Sequence, residues 1–467
     1  MLVVKCIYKT RDNNGVITHY RLQDMAGDVK VVTAMQLKEA IRNNQVICQN
    51  LTLTSDNRLI DKTEEKITDR AEKFIKKARA IGLKEEFQLG DAIYKIKGGQ
   101  VILVRCKATN GIFTIPDFVI SLDYGAGGHC EVFIECEGRL KVINKSQITS
   151  MYKMFYDCNR ITHLDLSNFD TSKVTDMGQM FQGCQRLEKI DLSGMNTSSV
   201  NSMSGMFGCC TALKELNLSN FDTSSVKLMD GMFHNCQNLE ELDLRNFDTS
   251  SVNYMTYMFC RCNKLKILNI SSFNTSRVVE TKGMFQKCSS LRNIDVSSFN
   301  VSHVTDMSDM FAECDSLRHI DLSEFNTVRV QDMSRMFFGC SSLEQIDLSN
   351  LNTQSLNSTG LMFKMCEKLR EVNLDNFYTN NVTEMTQMFF GCSSIEKLDL
   401  HSFTSNNLVY MTAMFRGCCN LKYLDISRIL LEKVHVRSCM FNGCNQLKIE
   451  NIKCNSKRDR EIIKMEV

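Results

Sequence analysis

The run Met154-Phe155-Tyr156-Asp157-Cys158-Asn159-Arg160-Ile161-Thr162-His163-Leu164-Asp165-Leu166-Ser167-Asn168-Phe169-Asp170-Thr171-Ser172-Lys173-Val174-Thr175-Asp176-Met177 decides the fold, because it starts again at Met180-Phe181. The Met-Phe pair then returns at 206, 232, 258, 284, 310, 336, 362, 388, 414 and 440, always 26 residues on and without insertion or deletion. A fixed period in this range is the mark of a solenoid, in which each unit buries its apolar face against its neighbours.

Inside one unit, Leu164-Asp165-Leu166 alternates apolar and polar residues, the pattern of a short half-buried strand. From Ile161 the apolar positions follow leucine-rich repeat spacing. Asp170-Thr171-Ser172 supplies side chains that cap free amides and start a helical turn. Val174, Met177 and Phe181 fall at i, i+3 and i+7, which predicts a short helix or 3₁₀ segment, and Cys184 turns the chain back. Each repeat therefore reads as one coil, a strand on one side and a helical return on the other. The fold class expected is an α/β repeat solenoid, a leucine-rich repeat array with a parallel sheet on the concave side. At the usual strand spacing of about 4.8 Å, that sheet would run roughly 55 Å.

The pattern Met-Phe-x-x-Cys-x-x-Leu-x-x-Leu-Asp-Leu-Ser-x-Phe-Asp-Thr-Ser-x-Val-x-x-Met, as in 180–203, 206–229 and 310–333, resembles the repeat of the BspA-like leucine-rich repeat family of bacterial and some protist proteins. The resemblance covers about two thirds of the chain. It implies a leucine-rich repeat solenoid, binding to other proteins or host surfaces, and no catalysis.

A net charge of +2 gives no global attraction to nucleic acid or anionic membrane. The apolar start Met1-Leu2-Val3-Val4-Lys5-Cys6-Ile7-Tyr8 is too short for a secretory signal, and no stretch approaches the roughly 20 apolar residues of a membrane span. Twelve of the 22 cysteines, Cys158 through Cys444, share one repeat position and read as small buried hydrophobes. A thiol-rich core without a signal points to the reducing cytoplasm. The family resemblance points instead to the cell surface or outside the cell.

Residues 1–61 read as a small α/β module: a hairpin across Asp12-Asn13-Asn14-Gly15, a third strand at 29–32, a helix at 34–43 capped by Thr33 with Met35, Leu37 and Ile41 inward, and a last strand at 46–54. Residues 62–85 read as a connecting amphipathic helix, 86–137 as a β-rich N-terminal cap, 138–449 as the array, and 450–467 as a C-terminal cap and charged tail. Leu140, Ile143, Ile148 and Met151 stand 26 residues before Leu166, Phe169, Val174 and Met177, so a degenerate half-coil is expected near 138.

Two columns are candidates for recognition. Between the strand leucines stands Asp or Asn in eleven successive coils: Asp165, Asp191, Asn217, Asp243, Asn269, Asp295, Asp321, Asp347, Asn373, Asp399 and Asp425. Carboxylates one strand apart repel unless hydrogen bonds, water or cations relieve them. The column is either an acidic strip for a basic partner or calcium, or a local network with Ser167 and its equivalents. Two residues earlier the column varies: His163, Lys189, Glu215, Glu241, Ile267, Asn293, His319, Gln345, Glu371, Lys397 and Tyr423. It faces the concave side, the surface solenoids use for binding, with Ile267 and Tyr423 as anchors.

One inward Cys per coil lacks the short Cys/His spacings of a metal site, so no metal or cofactor is expected. Cys130 and Cys136 would pair only under oxidising conditions. Gly125-Ala126-Gly127-Gly128-His129 precedes a strand-like run rather than a helix, so a hairpin turn is expected, not a phosphate loop. No catalytic motif stands out, and no enzyme is expected. The leading reading is a protein-binding scaffold. The alternatives are an exported adhesin or nucleic-acid contact through Lys62, Lys66, Arg70, Lys73, Lys76, Lys77 and Arg79.

Overall fold

The computed structural model describes residues 148–404 and 406–466 throughout. Before them it describes 2–11, 17–24, 29–43, 45–48, 51–53, 59–61, 86–89, 92–97, 100–115, 119–122, 124–125, 129–130 and 133–144. The amphipathic helix expected at 62–85, with its basic residues, lies outside the described residues, as do the side chains of Cys130 and Cys136. The chain forms two compact units. One is Met1–Leu89 with Ile93–Ile102 and Pro116–Ile120; the other is Gly90–Ala92, Leu103–Ile115 and Ser121–Val467.

In the first unit, β1 (Leu2–Arg11), β2 (Ile17–Asp24) and β3 (Val29–Thr33) form an antiparallel meander. Helix α1 (Ala34–Arg42) then carries the chain across so that β4 (Val46–Cys48) joins parallel to β1. Thr33 caps α1 through a capping box with Gln36, each side chain accepting from the other's backbone amide. Leu37 and Ile41, one turn apart, face the core with Tyr20, Leu22, Cys48 and Leu51. Met35, expected inward, is 77 % exposed, because two residues of helix place it on the far side from Leu37. Beyond β4, β5 (Leu51–Leu53) and β6 (Leu59–Asp61) pair antiparallel.

Among the described residues, seven further strands precede the array: β7 (Glu86–Leu89), β8 (Ala92–Lys97), β9 (Gln100–Ile115), β10 (Val119–Leu122), β11 (Tyr124–Gly125), β12 (His129–Cys130) and β13 (Phe133–Asn144). Gly125 pairs antiparallel with His129, so strands, not a helix, flank the glycine run. β13 lies parallel between β9 and the first strand of the array, β14 (Ile161–Asp165). Here the register departs from expectation. Leu140 pairs with Leu164, not Leu166, while Ser150 still bridges Asp176 at the full period. The first coil is thus two residues shorter between its strand and its return.

The coils stack by their apolar columns. Phe155, Phe181, Phe207 and their equivalents form an unbroken stack to Phe441, with ring centroids from 5.4 Å to 6.2 Å apart. The Met, Leu, Val and Cys columns are equally buried. Burying a Phe or Leu contributes roughly 1.5–3 kcal/mol, so each coil holds to the next without a cross-link.

The return side is not a helix. Met154, Tyr156 and Cys158 donate their amides three residues back, to Met151, Lys153 and Phe155. The amides between them, from Met151, Lys153, Phe155 and Asp157, donate instead to the next coil at Asp176, Gly178, Met180 and Gln182. The same four bonds recur at each of the eleven coil junctions, and a continuous parallel ladder of bridges runs from Ser150 to Val436. Alternation of this kind needs a left-handed residue as the third of a turn, the place where a type II turn has φ > 0. Each coil supplies two, at the positions of Lys153 (φ 57) and Asp157 (φ 54), and the series continues to Cys439 and Gly443. That geometry interrupts any helix.

Opposite, the sheet is not continuous. β14 pairs parallel with β15 (Lys189–Asp191) at the end of the sheet that includes β9 and β13, while β16 (Glu241–Asp243) with β17 (Ile267–Asn269) and β18 (Gln345–Asp347) with β19 (Glu371–Asn373) form separate parallel pairs. β20 (Lys397–Asp399), β21 (Tyr423–Ile426) and β22 (Ile452–Cys454) form the last group. The single long sheet expected from the repeat is therefore divided. A buried threonine column stitches the coils further: Thr171 Oγ1 donates to the carbonyl of Asn196, and the pattern repeats from Thr197 to Thr379, with Val301 as a gap.

At the C-terminal end, α2 (Lys457–Glu466) packs on the 3₁₀ turn Leu431–Lys433, with Ile463 buried. Asp459, fully buried, accepts from Ser456 and from the amide of Glu432. What reads in sequence as a charged tail is mostly this helix.

Candidate recognition face

In each strand the middle residue points inward and its two neighbours point out, so the variable and acidic columns share one face. Where strands pair, equivalent residues are partners: His163 with Lys189, Glu241 with Ile267, Gln345 with Glu371, and Lys397 with Tyr423. Lys189, Glu215, Glu241, Asn293, His319, Gln345, Glu371 and Lys397 are exposed, and Ile267 is 48 % exposed. His163 and Tyr423 depart from this, being half-buried. His163 lies against Thr162, and Lys397 sits over the Tyr423 ring at 5.5 Å.

The acidic column is tied to its own backbone. Asp165 Oδ1 accepts the Ser167 amide at 2.9 Å and the Ser167 hydroxyl at 2.6 Å. Asp191, Asn217, Asp243, Asp295, Asp321, Asp347, Asn373, Asp399 and Asp425 each accept the amide two residues on. These Asx turns end the strands. Hydrogen bonds from Ser297, Ser323 and Ser349 hold Asp295, Asp321 and Asp347 below the usual carboxylate range, and Arg245 does the same for Asp243. Asp425 is only 2 % exposed, because β22 covers it. Burial pushes its carboxyl up, but Lys453 at 2.8 Å and Ser427 together hold it down. It therefore stands apart from an open strip. Among the described residues, no three His, Cys, Asp or Glu side chains converge to hold a metal ion.

Two open grooves lie on this face. One, of about 840 Å³, runs past Lys189, Glu215, Glu241, Asp243, Arg245 and Ile267. The other, of about 860 Å³, passes Glu371, Asn373, Lys397, Asp399 and Asn420. Both mix charges of either sign, and the first adds one exposed aliphatic side chain. Such walls suit the surface of a protein better than a small apolar ligand.

The cysteine column lies inside. Cys184 Sγ donates to the Phe155 carbonyl at 3.0 Å, and every following cysteine of the column, to Cys444, repeats the contact. Burial pushes these thiols up, to about 12 at Cys236, Cys340 and Cys392. A buried thiol held protonated is a weak nucleophile, and the column reads as packing.

Sequence reading missed the left-handed pair, the threonine column and a row of cations and rings on the return side. The threonines had a signal, recurrence at one position, but their burial is visible only once the coil is closed.

Parallel coils of strand, Asx turn and return define a repeat solenoid of the leucine-rich repeat class. The chain belongs to the family described as "Mycoplasma protein of unknown function, DUF285", which matches residues 130–216, 189–292, 210–320, 262–372 and 361–465. Among solved structures, a leucine-rich repeat protein from Eubacterium ventriosum is similar at 15 % identity and a TM-score of 0.33, covering 70 % of this chain and 93 % of that one. A leucine-rich repeat protein of Leptospira interrogans is similar at 13 % identity and a TM-score of 0.25, covering 75 % and 80 %. Among curated proteins, none matches the chain. No helix among the described residues is long and apolar enough to cross a membrane.

Proposed function

We propose that this chain is a non-enzymatic, BspA-like recognition scaffold whose strand face binds a protein partner. The observation that carries the reading is the exposed, variable column on a face whose other positions repeat from coil to coil. Ile267, exposed in a groove beside Glu241 and Arg245, supplies an apolar anchor with a charged surround. The scaffold works in a reducing, cytoplasmic compartment, a reading supported by a thiol column that donates S–H bonds; the cell surface is the alternative that the BspA-like resemblance carries.

Affinity capture from the source cells, using the full chain and an Ile267→Glu/Glu241→Arg variant, tests the reading. Partners held by the native face and lost by the variant, at equal melting temperature, are the expected result. Recovery of the same proteins by both would refute it.

A further inference from the structure

On the return side, four successive coils place Phe338, Lys364, Phe390 and Arg416 at one repeat position. Arg335 lies over the Phe338 ring at 4.2 Å, and Lys364 faces the same ring at 5.9 Å. Lys364 lies over Phe390 at 4.9 Å and Arg416 at 5.7 Å. The result is a row in which rings and cations alternate. The same position in the six preceding coils holds Gln182, Gly208, His234, Cys260, Gln286 and Ala312, so the row is local.

Its cations differ from those just before it. Lys282, Lys287 and Arg335 pair with Asp306, Glu313 and Asp309. Lys364 donates only to a neutral acceptor, Gln387 Oε1 at 2.6 Å, and neither it nor Arg416 forms an ion pair among the described residues. Asp332 and Glu384 stand at the bridge positions nearby; Asp332 accepts the Ser334 amide, and Glu384 packs beside Gly360. Two cations are therefore held in place by rings, with donor capacity to spare. Beside them Met365 is 37 % exposed and Leu361 half-buried.

We propose that the row Phe338–Lys364–Phe390–Arg416 is a second docking surface, which takes an extended protein segment carrying Glu or Asp together with apolar side chains. Unpaired cations about two coils apart, roughly 10 Å at strand spacing, match carboxylates three residues apart along a segment in the extended polyproline II form, which rises about 3.1 Å per residue and brings every third side chain to the same face. The rings favour a peptide over single-stranded nucleic acid. Nucleic acid needs open aromatic faces on which bases stack, whereas cations stand over the faces of Phe338 and Phe390 here. Leu361 and Met365 give apolar side chains of a peptide something to contact.

Fluorescence anisotropy with the full chain tests this. The probe is a labelled twelve-residue peptide of Glu and Leu with acidic residues three apart; the controls are the same peptide with Gln for Glu, and oligothymidine. The Glu peptide is expected to bind, to weaken with added salt, and to lose at least about tenfold in affinity for a Lys364→Gln/Arg416→Gln variant of unchanged melting temperature. The Gln peptide should not bind, and Ile267→Glu on the strand face should bind the Glu peptide as the native chain does. Failure of the native chain to bind it, equal binding by the double variant, or tighter binding of oligothymidine would overturn the proposal.

Discussion

The two sides of each coil divide two tasks. On the return side every junction makes the same four backbone bonds, from Met151 through Asp157 and their equivalents, whatever side chains stand there. On the strand side the pairing lapses in several coils, and the outward positions range from Lys189 to Ile267. Regularity on one side leaves the other free to vary. Backbone geometry repeated without exception carries the register, so recognition residues can change without disturbing it.

The largest test of that division is at the lining beneath the return side. Cys314→Asp removes an S–H donor to Phe285 and buries an unpaired charge, so a loss of about 3–5 kcal/mol is expected in denaturant unfolding. An unchanged midpoint would mean the column is not inside. Next is Gly231→Val. At φ 56 with only His234 within 4 Å, its cost is almost purely conformational, about 1–2 kcal/mol. Arg261→Gly, at an exposed left-handed residue with φ 63, should instead raise stability by about 1 kcal/mol. A loss there would sink the assignment of strain to these positions. On the strand side Asp347→Asn keeps the acceptor for the Ser349 amide and should change stability by less than about 0.5 kcal/mol.

Acidification separates the sides by sign. Asp295 and Asp347 have folded values below the ordinary carboxylate range, so their contribution is complete above the unfolded value. It is lost as pH falls from there through the folded one. On the return side, burial pushes Asp176 and Asp230 up, so the destabilisation they cause at neutral pH is relieved as pH falls from the folded value to the unfolded one. Carboxyl NMR titration should find Asp230 protonating first and Asp347 last; the reverse order would contradict the burial described for Asp230.

Much of the array was legible because its cause is periodic. Leu-x-Leu, the Phe column and the inward cysteines follow from a 26-residue recurrence that no single substitution can hide. The helical return was misread for a definite reason: Val174, Met177 and Phe181 have helical spacing, but Gln179 between them and Gly183 just beyond them both have φ > 0. Spacing reports which side chains meet, not the sign of φ, and a glycine marks only some of the left-handed sites. Likewise Asp425 reads like any other member of its column until β22 folds over it. The local row of Phe338 to Arg416 carries no periodic signal, because it is a departure from the repeat.

The unbroken return-side ladder also sets how the array should respond to force. Pulled from its two ends, the chain cannot shear as a block, since load passes through one coil junction at a time. Each rupture frees the same 26-residue length, so extension should proceed as an evenly spaced saw-tooth, its weakest teeth where strand pairing has lapsed.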